Sequence, residues 1–150
     1  MPDTVPPPVA GETLGPLTVP ITAERVRAYA EASGDFNPVH IDPEFAATTE
    51  FGGPIAHGML LLAYVARVLD ARFGRAWPAT GALDARFRAP ALVGTTVTIQ
   101  CAIQAVVPDG EGQRVECRIT CIGAQGESLV TATASLRLAA AVHGNESSDV

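Results

Sequence analysis

Asp35 and His40 lie five residues apart in the segment Ser33-Gly-Asp-Phe-Asn-Pro-Val-His-Ile-Asp42, where polar side chains gather between apolar stretches. Pro38 keeps the residue before it, Asn37, out of the α region, so the segment cannot be helical throughout and reads as a turn-rich loop. A loop held in this way can aim both side chains into one cleft. A carboxylate and an imidazole that face one water form an acid/base pair, one taking a proton while the other gives one. Histidine is the natural switch of the two, because its ordinary titration range lies near neutrality. Asn37 adds an amide able to orient the loop or the water. Further along, Pro54-Ile-Ala-His-Gly-Met59 opens a long apolar run. If that run is helical, its unpaired N–H groups and positive dipole end suit a carbonyl oxygen that gains negative charge. Gly58 carries no side chain to keep a substrate from its N–H.

By spacing alone these residues also have plainer readings. Asp35 suits a turn after a helix, Asn37-Pro38 an ordinary turn, His40 a surface or hydrogen-bonded core position, and His57 a structural helix start. The three histidines, His40, His57 and His143, show no HxH, HxxxH or HExxH spacing, so no metal site is expected.

The elements that must position these residues follow from periodicity. Leu14 to Val19 reads as a short strand ended by Pro20. Thr22 is placed to cap a helix over Ala23 to Ala32, with Val26, Tyr29 and Ala30 at helical spacing and Gly34 closing it. Asp42 caps a short helix from Pro43 to Thr48. His57 to Phe73 is apolar nearly all round until Arg67 and Asp70, which predicts a buried helix. The period then changes from 3.6 to 2. Leu83, Ala85, Phe87 and Ala89 alternate with charged residues, and three further alternating runs follow: 96–105, 114–121 and 130–138. Four such runs, separated by Pro108-Asp-Gly110 and Gly123-Ala-Gln-Gly126, predict an antiparallel sheet with one apolar face. The architecture expected is α+β, one antiparallel sheet wrapped around one long buried central helix.

The 150 residues suit a single domain, 1–150, with residues 1–12 as a flexible proline-rich arm and 143–150 as a flexible polar tail. The net charge is −6, and all ten basic residues are arginine, so the chain offers no general field for nucleic acid. Cys101, Cys117 and Cys121 make an odd count without CxxC and fall in phase with core residues, which disfavours a disulfide framework. The longest apolar run, Met59 to Ala66, is far short of the about 20 residues a bilayer span needs. With no secretory signal at the start, the expectation is a cytoplasmic protein.

The stretch Tyr29-Ala-Glu-Ala-Ser-Gly-Asp-Phe-Asn-Pro-Val-His-Ile-Asp-Pro-Glu-Phe-Ala46, followed by Phe51-Gly-Gly-Pro-Ile-Ala-His-Gly-Met59, resembles the MaoC-like, R-specific enoyl-CoA hydratase (hydratase 2) family. The resemblance implies a hot-dog fold, in a homodimer or a dimer of dimers, with two sheets joined edge to edge. It implies reversible syn addition of water across a trans-2-enoyl thioester to give the (3R)-hydroxyacyl thioester. The substrate would be acyl-CoA or an acyl-carrier-protein thioester, with no cofactor. The catalytic pair carries over onto Asp35 and His40 and the loop asparagine onto Asn37. The backbone donor to the thioester carbonyl falls on Gly58, with His57 in support. Pro54, Ile55, Ala56, Met59 and Tyr64 are expected to line the substrate. Small polar side chains, common on this family's central helix, are missing from Leu61-Leu-Ala-Tyr-Val-Ala66, where Tyr64 has the one hydroxyl. Arg67, Arg72, Arg75, Arg86 and Arg88 are candidates to grip phosphates, or else solvated surface charges. A non-catalytic acyl-binding partner subunit is the alternative reading. A hot-dog thioesterase is disfavoured further, since Gly58 to Val68 contains no carboxylate.

Overall fold

The computed structural model describes residues 5–140. Five strands and five helices follow in the order β1 (Thr13–Pro20), α1 (Ala23–Ser33), α2 (Pro38–Ile41), α3 (Pro43–Ala47), α4 (Gly58–Phe73), α5 (Ala76–Thr80), β2 (Ala82–Phe87), β3 (Thr96–Asp109), β4 (Gly112–Ile122) and β5 (Ser128–Leu138). The strands form one antiparallel sheet in the order β1-β3-β4-β5-β2. Period-2 alternation places Val97, Ile99, Cys101 and Ile103 of β3, Val115, Cys117, Ile119 and Cys121 of β4, and Val130, Ala132, Ala134 and Leu136 of β5 on one buried face. Helix α4 lies across that face and buries Leu61, Val65, Val68 and Leu69 against it. An alternating strand and a helix with an apolar stripe each need a partner, and here they cover one another.

The helix boundaries have visible causes. Thr22 Oγ1 accepts from Arg25 N at 3.2 Å and starts α1, and Gly34, at φ 77°, stops it in the left-handed region that glycine tolerates. Asp42 Oδ1 accepts from the N–H groups of Glu44 and Phe45 and starts α3 behind Pro43.

Four expectations need correction. The segment between Asp35 and Ile41 holds a helical turn, α2, because Pro38 occupies the first helical position, where its missing N–H costs nothing. Helix α4 is not buried all round. Met59, Ala63, Arg67 and Asp70 leave one stripe of the single chain open to solvent. Phe87 leaves the core, 54% exposed, because β2 ends there at the sheet edge. Residues 9–12 are not a loose arm. Gly11 N donates to Ile103 O, Ile103 N donates to Glu12 O, and Arg72 donates to the Glu12 carboxylate and to Pro6 O. The predicted tail at 143–150 lies outside the described residues. The sequence reading also missed α5, a single turn around Trp77 and Pro78.

The Arg72–Glu12 pair takes Arg72 out of the candidate phosphate ligands. Arg72 holds the Glu12 carboxyl below the usual carboxylate range, the hydrogen bond from Arg72 outweighing partial burial. A depressed carboxylate stabilises the fold above its unfolded value, and the contribution is lost as pH falls through the folded value. Glu12→Gln is therefore expected to lower stability by about 1 kcal/mol near neutrality. The gap to wild type should shrink as pH drops below about 4. Thermal unfolding at several pH values measures both effects.

The three cysteines are free and buried. Burial pushes Cys121 up to about 11, and Cys101 is raised by its contact with the Cys117 sulfur and by burial.

Candidate active site

Between α1 and α3 the polar side chains pass hydrogen bonds along the loop. Ser33 Oγ donates to Tyr29 O at 2.7 Å and accepts from Asp35 N at 3.3 Å. Asp35 Oδ1 accepts from Asn37 N at 3.1 Å, and Asn37 Oδ1 accepts from Val39 N at 3.1 Å. Short Asp, Asn and Ser side chains favour such local turns, which is why this sequence folds as a bend and then a helical turn. Of the two roles expected for Asn37, the loop takes its carbonyl oxygen: it is the cap of α2. With Oδ1 of Asp35 occupied, Oδ2 is the carboxylate oxygen that faces His40.

His40 sits at the end of α2 with its Nδ1 2.7 Å from Ile55 O. A carbonyl can only accept, so Nδ1 carries the proton and Nε2 of the neutral ring is bare. That Nε2 lies 4.0 Å from Asp35 Oδ2. The two side chains differ in setting, His40 being 12% and Asp35 52% exposed. The carbonyl that orients His40 comes from a short backbone strap. Ile55 N donates to Val39 O, Ala56 N to Ala91 O, and Val93 N to Pro54 O, so residues 54–56 are tied on both sides. Pro54, Ile55 and Ala56, expected to line substrate, thus hold the imidazole through the main chain. No sequence pattern marks a carbonyl for that task.

His57 precedes α4 and is almost fully buried. Its Nε2 lies 3.0 Å from Asp35 O, its ring stacks on His40 with centroids 3.8 Å apart at 28°, and Tyr29 of α1 packs on it at 4.8 Å and 55°. No side chain caps α4, and among the described residues the N–H groups of Gly58 and Met59 find no acceptor. They open at the positive end of a 16-residue helix, beside the Asp35–His40 pair. A Cβ at Gly58 would come within 2.8 Å of Phe87 Cε1, so the missing side chain also makes room for that ring. Phe87 was hidden from sequence reading because it alternates in phase with the core face of β2.

Met59 is 59% exposed and, with Phe87, flanks the opening, whereas Tyr64 is half-buried and packs against the core. Asp35, His40 and His57 are also the cluster of potential metal ligands among the described residues, with donor atoms within 4.8 Å of one another. Its geometry does not suit an ion. Two rings stacked face to face aim their lone pairs along nearly parallel planes rather than at one point, and His40 Nδ1 and His57 Nε2 already serve carbonyls.

The model of the family described as MaoC like domain matches residues 7–125. The chain belongs to the MaoC-like domain family. This MaoC-like chain is 38% identical over 120 residues to the (R)-specific enoyl-CoA hydratase of Aeromonas caviae, an alignment covering 77% of this chain and 85% of that one. It is 34% identical over 119 residues to the 3-hydroxybutyryl-CoA dehydratase of Methylorubrum extorquens, covering 73% and 72% of the two chains. Among solved structures, the A. caviae (R)-hydratase involved in PHA biosynthesis aligns with a TM-score of 0.76 and 30% identity, over 87% of this chain and 96% of that one. The wrapped sheet is accordingly the hot-dog fold of MaoC-like dehydratases, and no helix among the described residues is long and apolar enough to cross a membrane.

Proposed function

We propose that this chain is a hydro-lyase that adds water reversibly across a trans-2-enoyl thioester and gives the (3R)-hydroxyacyl product, with CoA as the carrier. The observation that carries the reading is one juxtaposition. The bare Nε2 of His40 faces Asp35 Oδ2 at 4.0 Å, next to the unpaired N–H groups at the start of α4. Names of relatives at 38% and 34% identity support the substrate class and the R outcome.

The chemistry follows from the parts. A thioester carbonyl that accepts from Gly58 N–H is polarised, and the charge that builds on its oxygen as water attacks the β-carbon meets a fixed donor. Such a donor is worth on the order of 3–4 kcal/mol in the transition state. Water bound between the imidazole and the carboxylate loses one proton to this pair, and the pair returns one proton to the α-carbon. Both new bonds form on the face that the pair occupies, so the addition is syn. The partner-subunit reading leaves unexplained why both titratable groups are kept facing each other. The thioesterase reading lacks a carboxylate on α4 between Gly58 and Val68, and Asp70 beyond them points to solvent.

The purified protein is expected to consume crotonyl-CoA or a longer trans-2-enoyl-CoA, read as loss of the enoyl-thioester absorbance, with (3R)-hydroxyacyl-CoA as the product by chiral analysis. No turnover of any enoyl-CoA across a chain-length series would overturn the reading.

We further infer a homodimer. Strand β2 is an open edge six residues long that ends in exposed Phe87, and exposed Met59 lies on α4 next to Gly58, which Phe87 approaches. A bare edge invites pairing, and a second copy would cover it. Light scattering at micromolar concentration should give twice the chain mass; a monomer would refute the pairing.

A further inference from the structure

We propose that His57 is a positioning residue, acting as the Nε2–H tautomer to fix Asp35 through its main-chain carbonyl and to support the ring of His40. The proposal rests on the hydration reading and adds to it a residue that touches neither water nor substrate.

The first observation is that His57 is the buried polar residue of the core, 2% exposed, and that its Nδ1 has no hydrogen-bond partner, alone among the buried side-chain nitrogens and oxygens of the described residues. An unmet buried polar atom is unfavourable, and a position that needed only a packed ring would be better served by an apolar one. What the imidazole adds over such a ring is its other nitrogen. Nε2 lies 3.0 Å from Asp35 O, and since a carbonyl only accepts, the proton is on Nε2. The opposite tautomer would leave a buried N–H without an acceptor and set two lone pairs against each other.

The second observation concerns what this bond completes. Asp35 N donates to Ser33 Oγ and Asp35 Oδ1 accepts from Asn37 N, both contacts within its own loop. The bond to His57 comes from 22 residues away, at the entry to α4. It joins the carboxylate loop to the helix whose N–H groups face the same opening. Without it the peptide between Asp35 and Phe36 has no listener in the core, for Phe36 is itself 51% exposed. The ring does a second service. His40 is held at Nδ1 by one hydrogen bond, about which it can still swing, and the stack at 3.8 Å and 28° removes that freedom. Tyr29, at 4.8 Å, braces His57 from α1.

Two substitutions separate the nitrogen from the ring. His57→Phe keeps an aromatic plane and removes the donor. His57→Gln keeps a donor at the Nε2 position and removes the ring. His57→Phe is expected to lower kcat for enoyl-CoA hydration by on the order of 10²-fold, because a small misplacement of a reacting group costs that much. KM should change by less than about twofold, since binding is not what the residue supplies. The unfolding midpoint should not fall, since the unmet Nδ1 goes with the donor. His57→Gln should recover most of the lost kcat.

Near-wild-type kcat in His57→Phe would overturn the proposal. So would His57→Gln as slow as His57→Phe with both folded, or a fall in kcat matched in both variants by a fall in the midpoint, the mark of a purely structural residue. Imidazole 15N spectra of the wild-type protein give a readout independent of turnover. They should assign the Nε2–H tautomer to His57, and the Nδ1–H tautomer would sink the claim. A wild-type protein without hydratase activity but with the Nε2–H tautomer would place the failure in the reaction, not in the hydrogen bond.

Discussion

Asp35→Asn lowers enoyl-CoA hydration by on the order of 10²–10⁴-fold, the range a positioned acid or base contributes, and leaves the fold intact. The amide has nearly the shape of the carboxylate, and its oxygen can still accept from Asn37 N, so the bend should form as before. The side chain is half-exposed on a loop, where a neutral isostere changes stability by less than about 0.5 kcal/mol. What disappears is the proton exchange at Oδ2, 4.0 Å from His40 Nε2. His40→Gln should lose rate on the same scale, because it removes the bare nitrogen facing that oxygen. Initial rates with a trans-2-enoyl-CoA, beside thermal unfolding of the same samples, measure the effect. A folded Asp35→Asn variant with near-full activity would take Asp35 out of the mechanism.

Gly58→Ala lowers kcat/KM by at least about tenfold and by up to the 10²–10³-fold recorded for loss of an oxyanion donor. The added methyl would start 2.8 Å from Phe87 Cε1 and 3.0 Å from Cζ, closer than carbon atoms tolerate. Phe87 is 54% exposed, so its ring can swing outward, and the cost to folding should stay below about 1 kcal/mol. The cost to function is larger, because methyl and displaced ring now stand where a thioester oxygen must approach the N–H. Combining Gly58→Ala with Phe87→Ala tells the two obstacles apart. Recovery of rate in the double variant identifies the ring as the obstacle, and no recovery identifies the methyl. Unchanged kcat/KM in the single variant would move the oxyanion donor away from Gly58.

The sheet was legible because its signal is local. Strands β3, β4 and β5 alternate cleanly, and the turn residues between them sit where the hairpins close. The caps Thr22 and Asp42 and the stop at Gly34 were equally legible, since each rests on one side chain or one φ angle. Asp35, Asn37 and His40 were found because they stand close together in sequence. Ile55 O, Phe87 and the His57–Asp35 bond were not, because each joins segments far apart and acts through a carbonyl, a ring or a neighbour that no periodicity marks. The open stripe on α4 escaped for a related reason. Hydrophobic pattern records which side chains tend to avoid water, not which face of a helix the sheet of one chain can reach.

The sealed thiols have a practical bearing. Cys101, Cys117 and Cys121 all face inward from the sheet, so the native surface is silent towards maleimides. A single cysteine introduced at Ala63, exposed in the single chain, would be open to a thiol reagent in a monomer and shielded in the proposed dimer, with no need to strip the natural sulfurs first. The extent of labelling at that position, compared between dilute and concentrated samples, would then report whether a second copy covers the stripe.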